Sequence, residues 1–151
     1  MTTAQLKNIL KEFEPFFNCP LKTDERESTL IHMGIGIEIQ IELDRYGFVL
    51  IGCRLGSMIG RFCDLAIIEA LKVNDIDPPS TGMFGYSQKS KNLILFMFID
   101  PRAINPDSIN RLMTPFIKKA KRWVDGIKNN TVPSQEGKPP PLSDNPFGLQ
   151  R

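Results

Sequence analysis

The spacing of hydrophobic and polar positions changes several times along the chain, and each change marks an element. In residues 37–43, IEIQIEL, Ile37, Ile39, Ile41 and Leu43 point one way while Glu38, Gln40 and Glu42 point the other. That is the period of a strand with one buried and one wet face. Residues 28–33 read as a strand before it and residues 48–55 as a strand after it. Gly34 and Gly36 bracket the first turn, and Asp44-Arg45-Tyr46-Gly47 supplies the second. An antiparallel meander follows. Ahead of it, Leu6, Ile9, Leu10, Phe13, Phe16 and Phe17 recur at helical intervals behind Thr2-Thr3-Ala4-Gln5, which has capping-box spacing. Pro15 cannot donate a backbone hydrogen bond, so this first helix is expected to end or bend there.

The next period change is the most informative. In residues 61–74, RFCDLAIIEALKVN, the polar residues Arg61, Asp64, Glu69 and Lys72 gather on a narrow stripe, while apolar residues cover the remainder. An ordinary surface helix needs an apolar arc of about 100°, and this one is on the order of twice as wide. One sheet cannot cover both flanks. A second copy of the same helix across a two-fold axis is the simplest cover, which reads as a dimerisation helix that also belongs to the core; the alternative is a helix sandwiched between two elements of its own chain.

Asp77-Pro78-Pro79 enforces a loop. Residues 82–87 form a short fourth strand, 88–92 a polar turn, and 93–99, LILFMFI, a fifth strand without polar alternation. A strand apolar on both sides predicts a covering layer on both faces of the sheet. Asn105-Pro106 then opens the last helix, in which Ile109, Leu112, Met113, Phe116, Ile117, Ala120, Trp123, Val124 and Ile127 keep helical spacing until about Asn129. The fold class is therefore α+β, in the order α-β-β-β-α-β-β-α, with a twisted antiparallel sheet packed by helices and dimeric through the middle helix. Residues 1–130 form the domain, and residues 131–151 form a proline-rich flexible tail with too few aliphatic residues to order itself.

Composition changes this picture little. The 151 residues are 41% hydrophobic and 24% charged, ordinary for one globular domain, and a net charge of +2 falls short of a nucleic-acid-binding balance. Cys19, Cys53 and Cys63 are odd in number and match no metal spacing, which fits reduced thiols in the cytosol. The N-terminus lacks a signal-peptide core, and residues 93–99 are too few to span a bilayer.

Candidate chemistry is sparse. The single histidine, His32, sits between Ile31 and Met33 with no signalled nucleophile or titrating partner, and reads as structural. Phosphate loops, dinucleotide fingerprints, nucleophile elbows and zinc-protease motifs are absent. Gly56 and Gly60 have the wrong spacing for a phosphate cradle, and Asp75 and Asp77 lack the further oxygens of a calcium site. No catalytic residue, metal ligand or cofactor is assigned. Lys118, Lys119, Lys121 and Arg122 are the best argument for a nucleic-acid partner, but they oppose the apolar stripe of their helix and read as a solvated face.

The element order, the over-apolar middle helix ending Leu71-Lys72-Val73-Asn74, the Gly82-Met83-Phe84-Gly85-Tyr86 strand after a short loop, the LILFMFI strand and the long helix carrying Trp123 together resemble the class I type III secretion chaperones. This family is typified by the chaperone of the translocated intimin receptor, and the likeness spans residues 6–127. It implies a non-enzymatic homodimer of the bacterial cytoplasm that binds the N-terminal segment of an effector or translocator and presents it to the secretion apparatus. The secretion ATPase or sorting components are then further partners. It also implies a dimer contact through Phe62, Leu65, Ile68, Leu71, Met83 and Phe84, and cargo grooves along Leu10, Phe13, Phe17, Ile31, Met33, Val49 and Ile51. Members tend to be acidic whereas this chain is slightly basic, which leaves a heterodimer open. The rival readings are a nucleic-acid-binding module using the basic last helix and a protein-binding adaptor of similar fold without secretion cargo.

Overall fold

A computed structural model of the chain describes residues 3–60 and 62–133. Thr2 of the expected capping box, Arg61 of the middle helix and residues 134–151 of the expected tail lie outside the described residues.

The elements run α1 (Thr3–Phe17), β1 (Ser28–Met33), β2 (Ile37–Leu43), β3 (Val49–Ser57), α2 (Phe62–Ile76), a 3-10 turn (Pro79–Thr81), β4 (Met83–Ser87), β5 (Asn92–Ile99), a second 3-10 turn (Pro101–Ala103) and α3 (Pro106–Lys128). The five strands form one antiparallel sheet in the order β1-β2-β3-β5-β4. The chain thus leaves the sheet after β3, makes α2, and returns as a hairpin whose second strand, not its first, pairs with β3.

Local chemistry accounts for most boundaries. Asp44 holds the β2–β3 turn by accepting hydrogen bonds at Oδ1 from the backbone N–H groups of Tyr46 and Phe48, both at 2.8 Å, while Gly47 takes the positive φ of 91° that the turn requires. Asn105 caps α3. Its Oδ1 accepts from Ser108 N at 2.9 Å, Ser108 Oγ accepts from Asn105 N at 3.0 Å, and Pro106 fills the first helical position. One boundary differs from expectation. Helix α1 continues through Pro15 to Phe17 and ends at Asn18, which adopts a left-handed φ of 53°. The pyrrolidine ring is exposed on the last turn, so only the terminal hydrogen bonds are affected. The first residues assigned to the tail are also ordered against the helix end: Thr131 N donates to Gly126 O at 2.7 Å.

The core lies on one side of the sheet. Leu6, Leu10 and Phe13 of α1 and Ile109, Met113, Phe116, Ala120 and Trp123 of α3 cover Ile39, Ile41, Val49, Ile51, Cys53, Leu95 and Met97. The alternation of β2 holds with Ile37, Ile39 and Ile41 buried and Gln40 exposed, while Leu43 is only part-buried. The expectation of a covering layer on both faces is not met among the described residues. In β5 the odd-numbered residues Leu93, Leu95, Met97 and Ile99 are buried, while Ile94 and Phe96 are only partly covered and Phe98 is exposed. Both α1 and α3 pack on the same face and α2 packs against β4, so among the described residues no element covers the other face.

Candidate partner-binding surfaces

The uncovered sheet face is laid out by strand register. One row across it reads Glu42, Leu50 and Phe98; the next reads Leu30, Gln40, Gly52, Phe96 and Met83; the third reads His32, Glu38, Arg54, Ile94 and Gly85. Leu30 is 50% exposed and Phe98 54%. All of these residues but His32, Met83 and Gly85 line an open trough of about 760 Å³, rimmed by Arg26, Ser87, Lys89 and Ser90. Phe96 and Phe98 stand edge to face with ring centroids 5.9 Å apart, and Phe96 leans over Gly85, whose missing Cβ would lie 3.1 Å from its ring. The β1–β2 side of the trough is polar. Glu38 Oε1 lies 3.1 Å from His32 Nδ1, Glu38 Oε2 lies 3.6 Å from Arg54, and Gln40 Nε2 donates to Glu42 Oε2 at 3.0 Å. His32 is thus an exposed member of a charged cluster and not a core histidine, because its register position faces away from the helices.

The second surface is the outer flank of α2. Its inner face buries the small residues Cys63, Ala66, Ala70 and Val73, which lets the helix pack close on β4. The opposite flank carries Leu65 at 52%, Ile68 at 51% and Leu71 at 61% exposure, and Ile76 extends the stripe. Apolar residues therefore occupy both flanks, as the sequence pattern requires. Asn74 fastens the helix to the sheet edge. Its Oδ1 accepts from Phe84 N at 2.7 Å and its Nδ2 donates to Phe84 O at 2.9 Å.

The residues assigned to a dimer contact separate accordingly. Leu65, Ile68 and Leu71 are on the exposed flank, Phe62 and Met83 are part-buried, and Phe84 is buried against Trp123 with ring centroids 4.5 Å apart. Of those assigned to cargo grooves, Leu10, Phe13, Ile31, Val49 and Ile51 are enclosed in the subunit's own core, and only Phe17 and Met33 remain part-exposed. The enclosed five have too little accessible surface to touch a partner while the helices stay packed on the sheet. The side chains left accessible on the opposite face of the sheet are Leu30, Leu50, Phe96 and Phe98. The signal for them is the unbroken apolar run of β5, which in sequence predicts cover on both faces and which places Phe96 and Phe98 opposite the buried set.

The basic cluster of α3 is largely committed within the subunit. Lys119 is buried, and its Nζ lies 3.1 Å from Asp77 Oδ2, donates to Gly82 O at 2.9 Å and stands 5.1 Å from the centroid of the Phe84 ring. Lys121 Nζ donates to Ile35 O at 3.0 Å and to Asp125 Oδ1 at 2.8 Å. The expectation of a solvated basic face is corrected at Lys119, because the turn at Pro79–Thr81 brings the Asp77 carboxylate and the Gly82 carbonyl onto the helix. Burial pushes the Cys53 thiol up to about 12. Cys63 donates its thiol hydrogen to the Gly60 carbonyl, and Cys19 is exposed. Asp24 is held below the usual carboxylate range, first by the hydrogen bond from Ser28 N that closes the loop before β1. Among the described residues no group of three or more His, Cys, Asp or Glu side chains is arranged to hold a metal ion. Nor is any described helix long and apolar enough to cross a membrane.

The described residues thus leave the second face of the sheet open and the outer flank of α2 exposed. The sequence model of the Tir chaperone protein (CesT) family matches residues 8–124, from the first turns of α1 into the last turns of α3. The chain belongs to the Tir chaperone (CesT) family. Solved structures similar to this CesT-family chain agree on the fold. A chain of the HopA1–SchA chaperone–effector complex superposes with a TM-score of 0.65 at 15% identity, covering 83% of this chain and 98% of that one. A chain of the complex between the Yersinia pestis type III secretion chaperone SycH and a stable fragment of YscM2 gives 0.61 at 13% identity, over 78% and 98% of the two chains. One from the heterodimeric ExoU–SpcU complex of the Pseudomonas aeruginosa type III secretion system gives 0.60 at 18% identity, over 79% and 94%. No curated protein sequence matches the chain significantly.

Proposed function

We propose that this CesT-family chain is a type III secretion chaperone. It binds the N-terminal segment of an effector or translocator, keeps that segment soluble and competent for secretion, and presents it to the secretion apparatus. The observation that carries this reading is the half-covered sheet. The subunit buries one face under α1 and α3 and leaves Leu30, Leu50, Phe96 and Phe98 on the other in water. A contiguous apolar face of this kind on a small soluble domain is the mark of a surface made for a partner. Similar folds occur in the chaperone–effector complex of HopA1 and SchA and in the SycH complex, which supports a secreted protein as that partner.

The second exposed surface supports a dimer. Leu65, Ile68 and Leu71 present a stripe that a second copy, approached across a two-fold axis, would cover with the same residues. A related but different chain would do so as a heterodimer. In this reading Phe62 and Met83 flank the contact, Phe84 braces it from behind, and Phe17 and Met33 border the client surface. The enclosed residues Leu10, Phe13, Ile31, Val49 and Ile51 shape that surface from beneath. The work is done in the bacterial cytoplasm, before export, with the secretion ATPase or sorting components receiving the loaded chaperone. It requires no bond-making chemistry, since affinity comes from wrapping a segment over a large area. The folded unit carries this role, so removal of residues 134–151 is expected to leave client binding intact.

The deciding experiment is affinity purification of the tagged chain from its native cytoplasm, followed by mapping of what binds. Recovery of one or a few exported proteins through their N-terminal segments is the expected result. Recovery of nucleic acid, or of partners that are not exported, overturns it.

A further inference from the structure

The exposed face of α2 has a charge pattern that is its own complement when reversed. Viewed end-on from Ile68, a helix turning about 100° per residue carries Asp64 and Lys72 about 40° to either side and Leu65 and Leu71 about 60° to either side. All five are exposed, whereas Cys63, Ala66, Ala70 and Val73 lie on the far side and are buried, so this face is turned away from the subunit. Asp64, Ile68 and Lys72 form a single row at i, i+4 spacing, with Leu65 and Leu71 flanking it.

A two-fold axis lays such a face onto its own reverse. Where two copies of α2 run antiparallel with the axis at Ile68, each residue meets the one equally far from Ile68 in the other direction. Ile68 then meets Ile68, Leu65 meets Leu71, and Asp64 meets Lys72 at both ends of the contact. Neighbouring settings of the axis lose this match. An axis midway between Ile68 and Leu71 sets Asp64 against Asp75, which is also exposed, and an axis midway between Leu65 and Ile68 sets it against Glu69. Parallel copies would set Asp64 against Asp64 and Lys72 against Lys72, and like charges so placed disfavour the complex. Charge therefore selects one setting that the apolar residues alone leave open. Lys72 lies 3.0 Å from Glu69 of its own helix, but its side chain is 61% exposed and an ammonium has three donors, so it can serve a second carboxylate as well.

We propose that the partner of α2 is a second copy of this chain and not a related one, held antiparallel about Ile68, with Asp64 of each copy paired to Lys72 of the other. A different chain would have no use for a face that complements its own reverse. This rests on the pairing reading above and adds the identity of the partner and the register that selects it.

The test is a charge swap on the full chain, with the dimer dissociation constant read by sedimentation equilibrium and folding checked by circular dichroism. Asp64→Lys alone places lysine against lysine at both ends, and Lys72→Asp alone places aspartate against aspartate, so each should weaken self-association by about tenfold or more. An equal mixture of the two variants restores both pairs and should dimerise about as tightly as the wild type. The doubly reversed chain, Asp64→Lys with Lys72→Asp, should pair with itself but not with the wild type. Added salt should loosen the wild-type dimer more than that of Lys72→Gln, a milder change that keeps helix propensity. If both single variants and Lys72→Gln associate like the wild type, the register is wrong while the pairing through α2 stands. Weakened variants that the mixture fails to rescue, though each is folded, overturn the Asp64–Lys72 contact. A wild type that stays monomeric, or pairs only with a different chain, removes the proposal, and in the monomeric case the pairing reading falls with it.

Discussion

Asn74, near the end of α2, answers both backbone groups of Phe84 in β4 with a single side chain, at 2.7 and 2.9 Å. One carboxamide thereby does what a neighbouring strand would do. It closes part of the sheet edge and sets the angle at which α2 lies along it. Asn74→Leu leaves a buried N–H and C=O without partners and should cost about 1–3 kcal/mol, read as a lower midpoint in denaturant unfolding. Asn74→Asp keeps the acceptor and loses the donor, so it should fall between the wild type and the leucine variant.

The exposed stripe on α2 gives a prediction in which stability and assembly part. Leu65 is half exposed, so Leu65→Asp removes little from the subunit core. The expected product is a folded chain with an unchanged circular dichroism spectrum and the mass of a monomer by light scattering, where the wild type has the mass of a dimer. A wild type that is monomeric at high concentration would remove the basis for the pairing.

Lys119 is buried beside Asp77, Gly82 O and the Phe84 ring, and it ties the turn before β4 to α3. Lys119→Ala removes the cation beside the Asp77 carboxylate and the donor to the Gly82 carbonyl, and a loss of about 3 kcal/mol is expected. Lys119→Met, which keeps the stem but not the charge, should lose less, because packing along the stem survives. Differential scanning calorimetry of the two variants beside the wild type separates the contributions.

The thiols should behave as three different groups. At pH 8 a thiol reagent is expected to modify Cys19 at once and to reach Cys53 and Cys63 only on unfolding, since both are buried. Cys53 also gives stability an alkaline limb. Its proton is held to about 12 in the folded chain against an ordinary value of 9.0. The unfolded chain therefore releases that proton first, and stability falls as pH rises from about 9 toward 12. Cys53→Ser should flatten this limb, seen in unfolding midpoints measured across that range.

Much of the fold could be read from the chain because its periods are clean. The alternation of Ile37, Ile39 and Ile41 against Glu38 and Gln40 assigns faces with no further information, and Asn105-Pro106 announces α3 by chemistry that is local. The site was harder to read for a physical reason. Apolar periodicity says which face of a strand avoids water, but not whether the chain itself has the means to cover it. Val49 and Ile51 were equally consistent with a core and with a groove until α1 and α3 were seen to occupy the same side. The same ambiguity ran the other way for Phe96 and Phe98, whose exposure follows from there being no third layer among the described residues. Lys119 was misjudged because its partners, Asp77 and Gly82, are far from it in sequence and are brought there by a turn whose geometry the residues alone do not announce.

The strand order has a kinetic corollary. The first three strands and the β4–β5 hairpin each form from neighbours in the chain, but the ladder between Val49–Ser57 and Asn92–Ile99 requires everything from α2 to the hairpin turn to be looped out first. Closing that loop is the costly entropic step, so the late barrier to folding should sit there. Conservative truncations along this ladder are then expected to slow refolding, while those in the first hairpin mainly hasten unfolding. A freshly synthesised copy would consequently display its unfinished sheet until the β4–β5 hairpin has been made and docked.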